Sequence, residues 1–214
     1  MHNKTFNTLC LILTFLPLAL TLFMLQILPD MIPAHFGSSG LADRWGSKYE
    51  LLILPLITLV VMFGIYFVMR NKQMEKGTYK TLIHTTISVL LLFNSLTYML
   101  LYIAYRQITD LNQIKFYDIN TAAISIMFII IGNIIPKTKR NRFIGFRIPW
   151  TLASDDVWHK THRLTGKLFV LLGFLGLVSI AFVGGLAGFI AVLGMMIVIL
   201  IVCTFYSYRL SKNT

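Results

Sequence analysis

Gly188-Phe189-Ile190-Ala191-Val192-Leu193-Gly194-Met195-Met196-Ile197-Val198-Ile199-Leu200-Ile201-Val202-Cys203 carries no charged side chain, and its apolar character extends over 187–208. About 20 such residues cross the ~30 Å hydrocarbon core of a bilayer as a helix. Working back towards the N-terminus, five further apolar segments of similar length occupy 6–28, 51–69, 82–105, 118–135 and 167–184. The composition agrees, with 57% hydrophobic and only 13% charged residues in a chain of 214, where a soluble domain carries roughly a quarter charged residues. The fold class read from this pattern is an all-α membrane protein, a bundle of six transmembrane helices.

The first segment is too long for the apolar core of a signal peptide, and no small-residue cleavage site follows it, so it reads as a retained span. Pro17 inside it predicts a kink and a freed carbonyl that neighbouring helices can satisfy. Cys10 and Cys203 each lie inside an apolar run, which fits buried reduced thiols better than a disulfide framework or a zinc site. The net charge of +11 raises the question of a nucleic-acid partner. Its placement in a few connecting loops fits cytoplasmic retention of Lys and Arg instead, with no direct nucleic-acid contact.

The connections alternate in charge. The second, 70–81, holds Arg70, Lys72, Lys76 and Lys80 against Glu75, and the fourth, 136–167, holds Lys137, Lys139, Arg140, Arg142, Arg147, Lys160, Arg163 and Lys167 against Asp155 and Asp156. The first (29–50) and third (106–117) are nearly balanced, and the fifth, Gly184 to Gly188, is uncharged. By the positive-inside rule, both termini and the second and fourth loops face the cytoplasm, beside anionic inner-leaflet lipids. The chain divides at about residue 80 into a two-span region, 1–80, with a structured outer loop 29–50, and a four-span region, 81–214, with the loop 136–167.

In the outer loop, Pro29 and Pro33 disfavour helix, while Gly37 and Gly40 permit positive φ. A compact hairpin of fixed shape is expected, with Trp45 and Tyr49 at headgroup level and His35 with Asp43 as a polar pair facing outward. Pro33, His35, Gly40 and Asp43 are its candidate ligand-facing residues.

The cytoplasmic loop has more internal order than a bland connection requires. Pro136 ends the fourth span, and Lys137 to Arg142 supplies four cations in six residues, each worth about 1 kcal/mol beside anionic headgroups. Gly145 permits an unusual backbone angle, Pro149 pushes Ile148 towards extended geometry, and Trp150 is a large amphipathic anchor. Ser154 is a suitable N-cap, with Asp155 and Asp156 in the first turn. A short interfacial helix is expected from Asp155 to about Gly166, with Val157, Thr161, Leu164 and Leu168 on one stripe and Trp158, His162 and Thr165 beside it. Lys160, Arg163 and Lys167 follow another face.

Catalytic chemistry finds little support. His159 and His162 at i, i+3 lack the Glu of a zincin and a third ligand, so no metal site is assigned. Phosphate loops, nucleophile elbows and dinucleotide fingerprints are absent from the sequence, and no cofactor is called. The interiors of the spans hold no Asp or Glu for an ion relay. Asn94, Ser95 and Thr97 are candidates for interhelical hydrogen bonds, and Gly173 and Gly176 for close helix packing.

At Gly132-Asn133, Pro136-Lys137, Asn141, Phe143-Ile144-Gly145, Arg147, Pro149-Trp150-Thr151-Leu152, Val157-Trp158 and His162-Arg163 the chain resembles the SdpI family. The run Leu28-Pro29, Ile32-Pro33, His35-Phe36 and Gly40 is similar to a small membrane domain of unknown function that often precedes the SdpI region. One departure is Ile148, where the family pattern usually has Thr. The resemblance implies a six-span, non-enzymatic bacterial membrane protein. It also implies immunity to a secreted membrane-active toxin peptide, together with a signalling role that holds a transcriptional repressor at the membrane. Asn133, Pro136, Asn141, Gly145, Arg147, Pro149, Trp150, Thr151, Trp158, His162 and Arg163 are the motif positions through which this would act. Arg147 is expected to hydrogen-bond carbonyls or a headgroup phosphate, and both Trp rings to fix the depth of the loop. The alternatives are a small transporter or flippase for a peptide or lipid, and an envelope scaffold without a ligand.

Overall fold

Six helices are long and apolar enough to span a bilayer, in a computed structural model that describes residues 4–70 and 75–212. Lys72, counted above among the cations of the second loop, lies outside the described residues. The spanning helices are α1 (Lys4–Met24), α2 (Ile53–Met69), α3 (Lys76–Arg106), α4 (Phe116–Ile134), α6 (Asp155–Phe182) and α7 (Gly185–Lys212), with a short α5 (Pro149–Ala153) before α6. The protein is a multi-pass membrane protein. Helices α3 and α6 run beyond the apolar segments at 82–105 and 167–184 because their ends are amphipathic and pack against loops.

Helix α1 stops at Met24, and the chain turns through Leu28 before Pro29, since the residue before a proline is steered away from helix. The outer loop is a β-hairpin, β1 (Met31–Phe36) paired antiparallel with β2 (Ala42–Ser47), with Pro33 opposite Trp45 and irregular register on both sides of His35. Pro33 is tolerated because a two-stranded hairpin has only edge strands. Gly40, at φ +82°, closes the turn. The hairpin leans on the third loop through Ala42 N–H to the Thr109 carbonyl at 2.8 Å and Leu111 N–H to the Gly40 carbonyl at 3.0 Å. At the same end, the Asp118 carboxylate accepts from Gly185 N–H at 2.7 Å.

At the opposite end, Lys139 meets Glu75 at 3.0 Å, and the Trp150 indole reaches Ser207 near the end of α7. The first, third and fifth connections thus gather at one end, and the second, the fourth and the C-terminal part of α7 at the other. This is the grouping that loop charge requires.

The bundle core has an α1–α3 part around Phe6, Cys10 and Leu90 and an α4–α6–α7 part around Phe128, Leu172 and Val192. Helices α4 and α6 approach at backbone distance. A Cβ on Gly132 would stand 2.7 Å from the Gly166 carbonyl, and one on Gly173 2.5 Å from the Ser125 carbonyl. Because lipid removes the hydrophobic driving force between helices, such small-residue seams hold membrane helices together by close packing. Cys10 and Cys203 are both buried, free thiols.

Candidate functional site

The loop of residues 136–154 folds over the first turns of α6. Pro136 begins the turn that ends α4, and it lies against Gly166, where a Cβ would meet its ring. Two residues on, fully buried Thr138 donates from its hydroxyl to the Ile135 carbonyl at 2.7 Å, and its own carbonyl accepts from the Trp158 indole N–H at 2.9 Å. Asn141 then builds a local turn. Its side-chain carbonyl accepts from the N–H groups of Phe143 and Ile144, both at 2.8 Å, and its amide donates to the Lys139 carbonyl. Asn suits this place because its short side chain can substitute for backbone turn bonds.

Gly145 follows at φ +118°, and a Cβ there would press on the rings of Trp158 and His162. Backbone angle and close approach both require glycine. The close approach lets Phe146 N–H donate to His162 Nε2 at 2.9 Å, while His162 Nδ1 lies 2.8 Å from the Trp158 carbonyl. Because Nε2 accepts, Nδ1 must carry the proton and donate, so the ring is a neutral imidazole in a defined tautomer. Trp158 stacks on this ring with centroids 4.0 Å apart, and neither side chain has any exposed surface.

The loop is then tied to α5. Thr151 Oγ1 accepts from Ile148 N–H at 3.0 Å and has the Phe146 and Ile148 carbonyls within donating distance. Pro149 occupies the first helical position, where its missing N–H costs nothing. The Trp150 indole donates to Ser207 Oγ at 2.8 Å and packs edge-on against Tyr208, which fastens α5 to α7. Ser154 caps α6 through Val157 N–H, and Arg140 holds Asp155 at 2.8 Å and the Leu152 carbonyl at 2.8 Å.

Pro136, Asn141, Gly145, Thr151, Trp158 and His162 therefore converge on one hydrogen-bonded knot. Asn133, Arg147, Pro149 and Arg163 do not join it. Asn133 bonds only its own helix, at the Ile129 carbonyl. Arg147 is exposed and donates to the Arg142 carbonyl at 2.6 Å, one of the two partner types expected of it. The helix expected over Asp155 to Gly166 is present, but it continues unbroken into the fifth span as α6. Its Val157–Thr161 and Trp158–His162–Thr165 stripes are turned into the protein and buried. Trp158 is consequently a core residue and cannot serve as a depth anchor, a correction to the reading of both Trp rings. Trp150 is only half-buried.

Thr138 and Ser207 were not singled out in the sequence. A lone Thr after Pro-Lys and a lone Ser in an apolar tail give no sign that an indole will seek them. In the outer hairpin, His35 and Asp43 pair at 2.5 Å and are both exposed, Pro33 is buried, and a Cβ on Gly40 would strike Asn112 of the third loop. Arg44 and Glu50 form a two-pronged pair at 2.9 and 3.0 Å beside them.

The knot carries the sequence features by which the chain can be placed among known proteins. Residues 137–207 match the SdpI/YfhL protein family. Residues 12–59 match a domain of unknown function, DUF1648, which covers the hairpin. The chain is 25% identical over 207 residues to Immunity protein SdpI of Bacillus subtilis strain 168, covering 97% of this chain and 96% of that one. A short stretch of 30 residues is 57% identical to an uncharacterized protein of Archaeoglobus fulgidus, covering 14% of this chain and 16% of that one. No solved structure matches the chain.

Proposed function

We propose that this protein gives the bacterium carrying it immunity to a secreted, membrane-active toxin peptide, acting by binding and not by catalysis. The observation that carries the reading is the similarity to Immunity protein SdpI across nearly the whole of both chains. It lies in the cytoplasmic membrane with both termini inside, so the hairpin with His35 and Asp43 meets the peptide and the knot lies on the cytoplasmic side. The exposed loop residues beside the knot, Arg142, Arg147 and Pro149, form the surface a transcriptional repressor would meet if immunity is coupled to signalling. The buried knot members support that surface.

The test is survival of a sensitive strain, with and without the protein, across a panel of secreted antimicrobial peptides. Protection against one peptide, lost in Arg147→Ala at equal membrane abundance, is the expected result. Correctly inserted protein that protects against none of them overturns the reading.

A further inference from the structure

The outward face of α6 reads as one continuous stripe. Asp156, Lys160, Arg163, Lys167, Leu171, Phe174, Val178 and Phe182 are each three or four residues apart, and all are exposed. At 3.6 residues per turn such spacing keeps side chains on a single face. The opposite face, with Trp158, His162, Thr165, Leu172 and Gly176, is buried in the bundle. Along the stripe the chemistry changes once. Three cations over about 10 Å of helix give way between Lys167 and Leu171 to apolar side chains that are about half or more exposed, up to 85% at Phe182.

Of the three cations, Lys160 is held by Asp156 at 2.7 Å. Among the described residues no carboxylate stands within ion-pair distance of Arg163 or Lys167. They are four residues apart on adjacent turns, so both can address one group. Arg offers a planar fork of donors to a phosphate and Lys a compact charge. Immediately beyond them, Leu171, Phe174 and Val178 form a track suited to an acyl chain. A soluble polyanion would have no use for that track, and a neutral lipid would leave the cations unmatched.

We infer that Arg163 and Lys167 bind the phosphate of one anionic phospholipid whose acyl chain lies along Leu171, Phe174 and Val178. This goes beyond the immunity reading and does not depend on it. A retained lipid here would fix the depth of α6, and through it the level of the knot on its buried side.

The purified protein in nanodiscs and in detergent provides the test. Phosphatidylglycerol is titrated against phosphatidylcholine, with retained lipid read by native mass spectrometry and stability by thermal unfolding. Arg163→Gln/Lys167→Gln should weaken phosphatidylglycerol retention on the order of tenfold or more, given about 1 kcal/mol per cation near an anionic lipid. Lys76→Gln/Lys80→Gln removes equal charge elsewhere and should leave retention within about twofold. Arg163→Lys keeps the charge and should fall between wild type and the double variant. Equal losses in both double variants would mean diffuse attraction without a site, and no loss in either would mean no phosphate contact. Either result overturns the inference.

Discussion

The side-chain amide of Asn94 in α3 donates a 2.7 Å hydrogen bond to the carbonyl of Leu13 in α1. That carbonyl would normally take the N–H of residue 17, which is Pro17 and has none. The same amide donates to the Leu90 carbonyl, and the Asn94 carbonyl accepts from Tyr98. The carbonyl freed by Pro17 in the first span is thus satisfied by a polar side chain of the third. Asn94→Leu should cost about 1 kcal/mol, within the range of interhelical hydrogen bonds in membrane proteins. In a Pro17→Ala background, where the helix can satisfy Leu13 itself, the cost should shrink. Unfolding in mixed micelles followed by circular dichroism measures the cycle, and equal costs in the two backgrounds would show that the pair is not coupled.

Gly145 sets the knot. Gly145→Ala combines an unfavourable positive φ with contact against Trp158 and His162, and it should destabilise by about 1–3 kcal/mol. His162→Ala should also destabilise, because it strips Phe146 N–H of its acceptor. With the ring gone, adding Gly145→Ala should cost less than it does in the wild type. Simple additivity in thermal unfolding would place the two residues in separate features.

Ile148 is where the sequence departs from the Thr usual in the family pattern it resembles. It holds φ −120° and ψ 161°, the extended geometry of an N-cap, immediately before α5. Its side chain cannot accept a hydrogen bond, so the cap is half built, with Thr151 reaching back to Ile148 N–H. Ile148→Thr should therefore stabilise by about 0.5–1 kcal/mol, the common value of a capping oxygen. A lower melting temperature for Ile148→Thr would show that the isoleucine's packing outweighs the missing cap.

How much of this was legible in the chain differs by element. The spans were, because lipid enforces long apolar runs, and so was the freed carbonyl below Pro17, because proline chemistry is local. Gly145 and Ser154 announced an unusual backbone angle and a cap by residue type alone, whereas Asn141 stood out only as a motif position. The outer hairpin was legible in its compactness but not in its docking, since Thr109 and Leu111, which bond it, lie far along the chain. The burial of Trp158 and His162 was not legible. The helix from Asp155 presents polar and apolar stripes side by side, and the one facing inward is decided by a neighbouring segment, 138–146, folding over it.

Trp150 and Ser207 join the loop to the last helix through one hydrogen bond between side chains. Trp150→Phe and Ser207→Ala should each destabilise by about 1 kcal/mol. If that bond is the whole effect, the double variant should cost little more than either single one. Ser207 Oγ also bonds the Thr204 carbonyl at 2.8 Å, so its loss leaves α7 intact and reports on the clasp. Additive losses in thermal unfolding would sink the assignment.

Trp45, Trp150 and Trp158 make a built-in ruler for the surface of this protein. Trp45 is 46% exposed in the hairpin and Trp150 is half-buried at the end of α7, whereas Trp158 has no accessible surface. In variants that keep one tryptophan, with the others replaced by phenylalanine, Trp45 fluorescence should respond to acrylamide or brominated lipid. Trp150 should respond partially, and Trp158 to neither quencher. The result matters for the knot in particular, because a Trp158 lying at the lipid interface would be quenched by brominated lipid. Quenching of that single-tryptophan protein, in a sample whose melting curve shows it to be folded, would put the ring outside the core and dissolve the stack with His162. If Trp158 stays dark to both quenchers, its N–H has no bulk partner to exchange for the Thr138 carbonyl. Trp158→Phe should then strand that carbonyl in the interior and destabilise by about 1–3 kcal/mol.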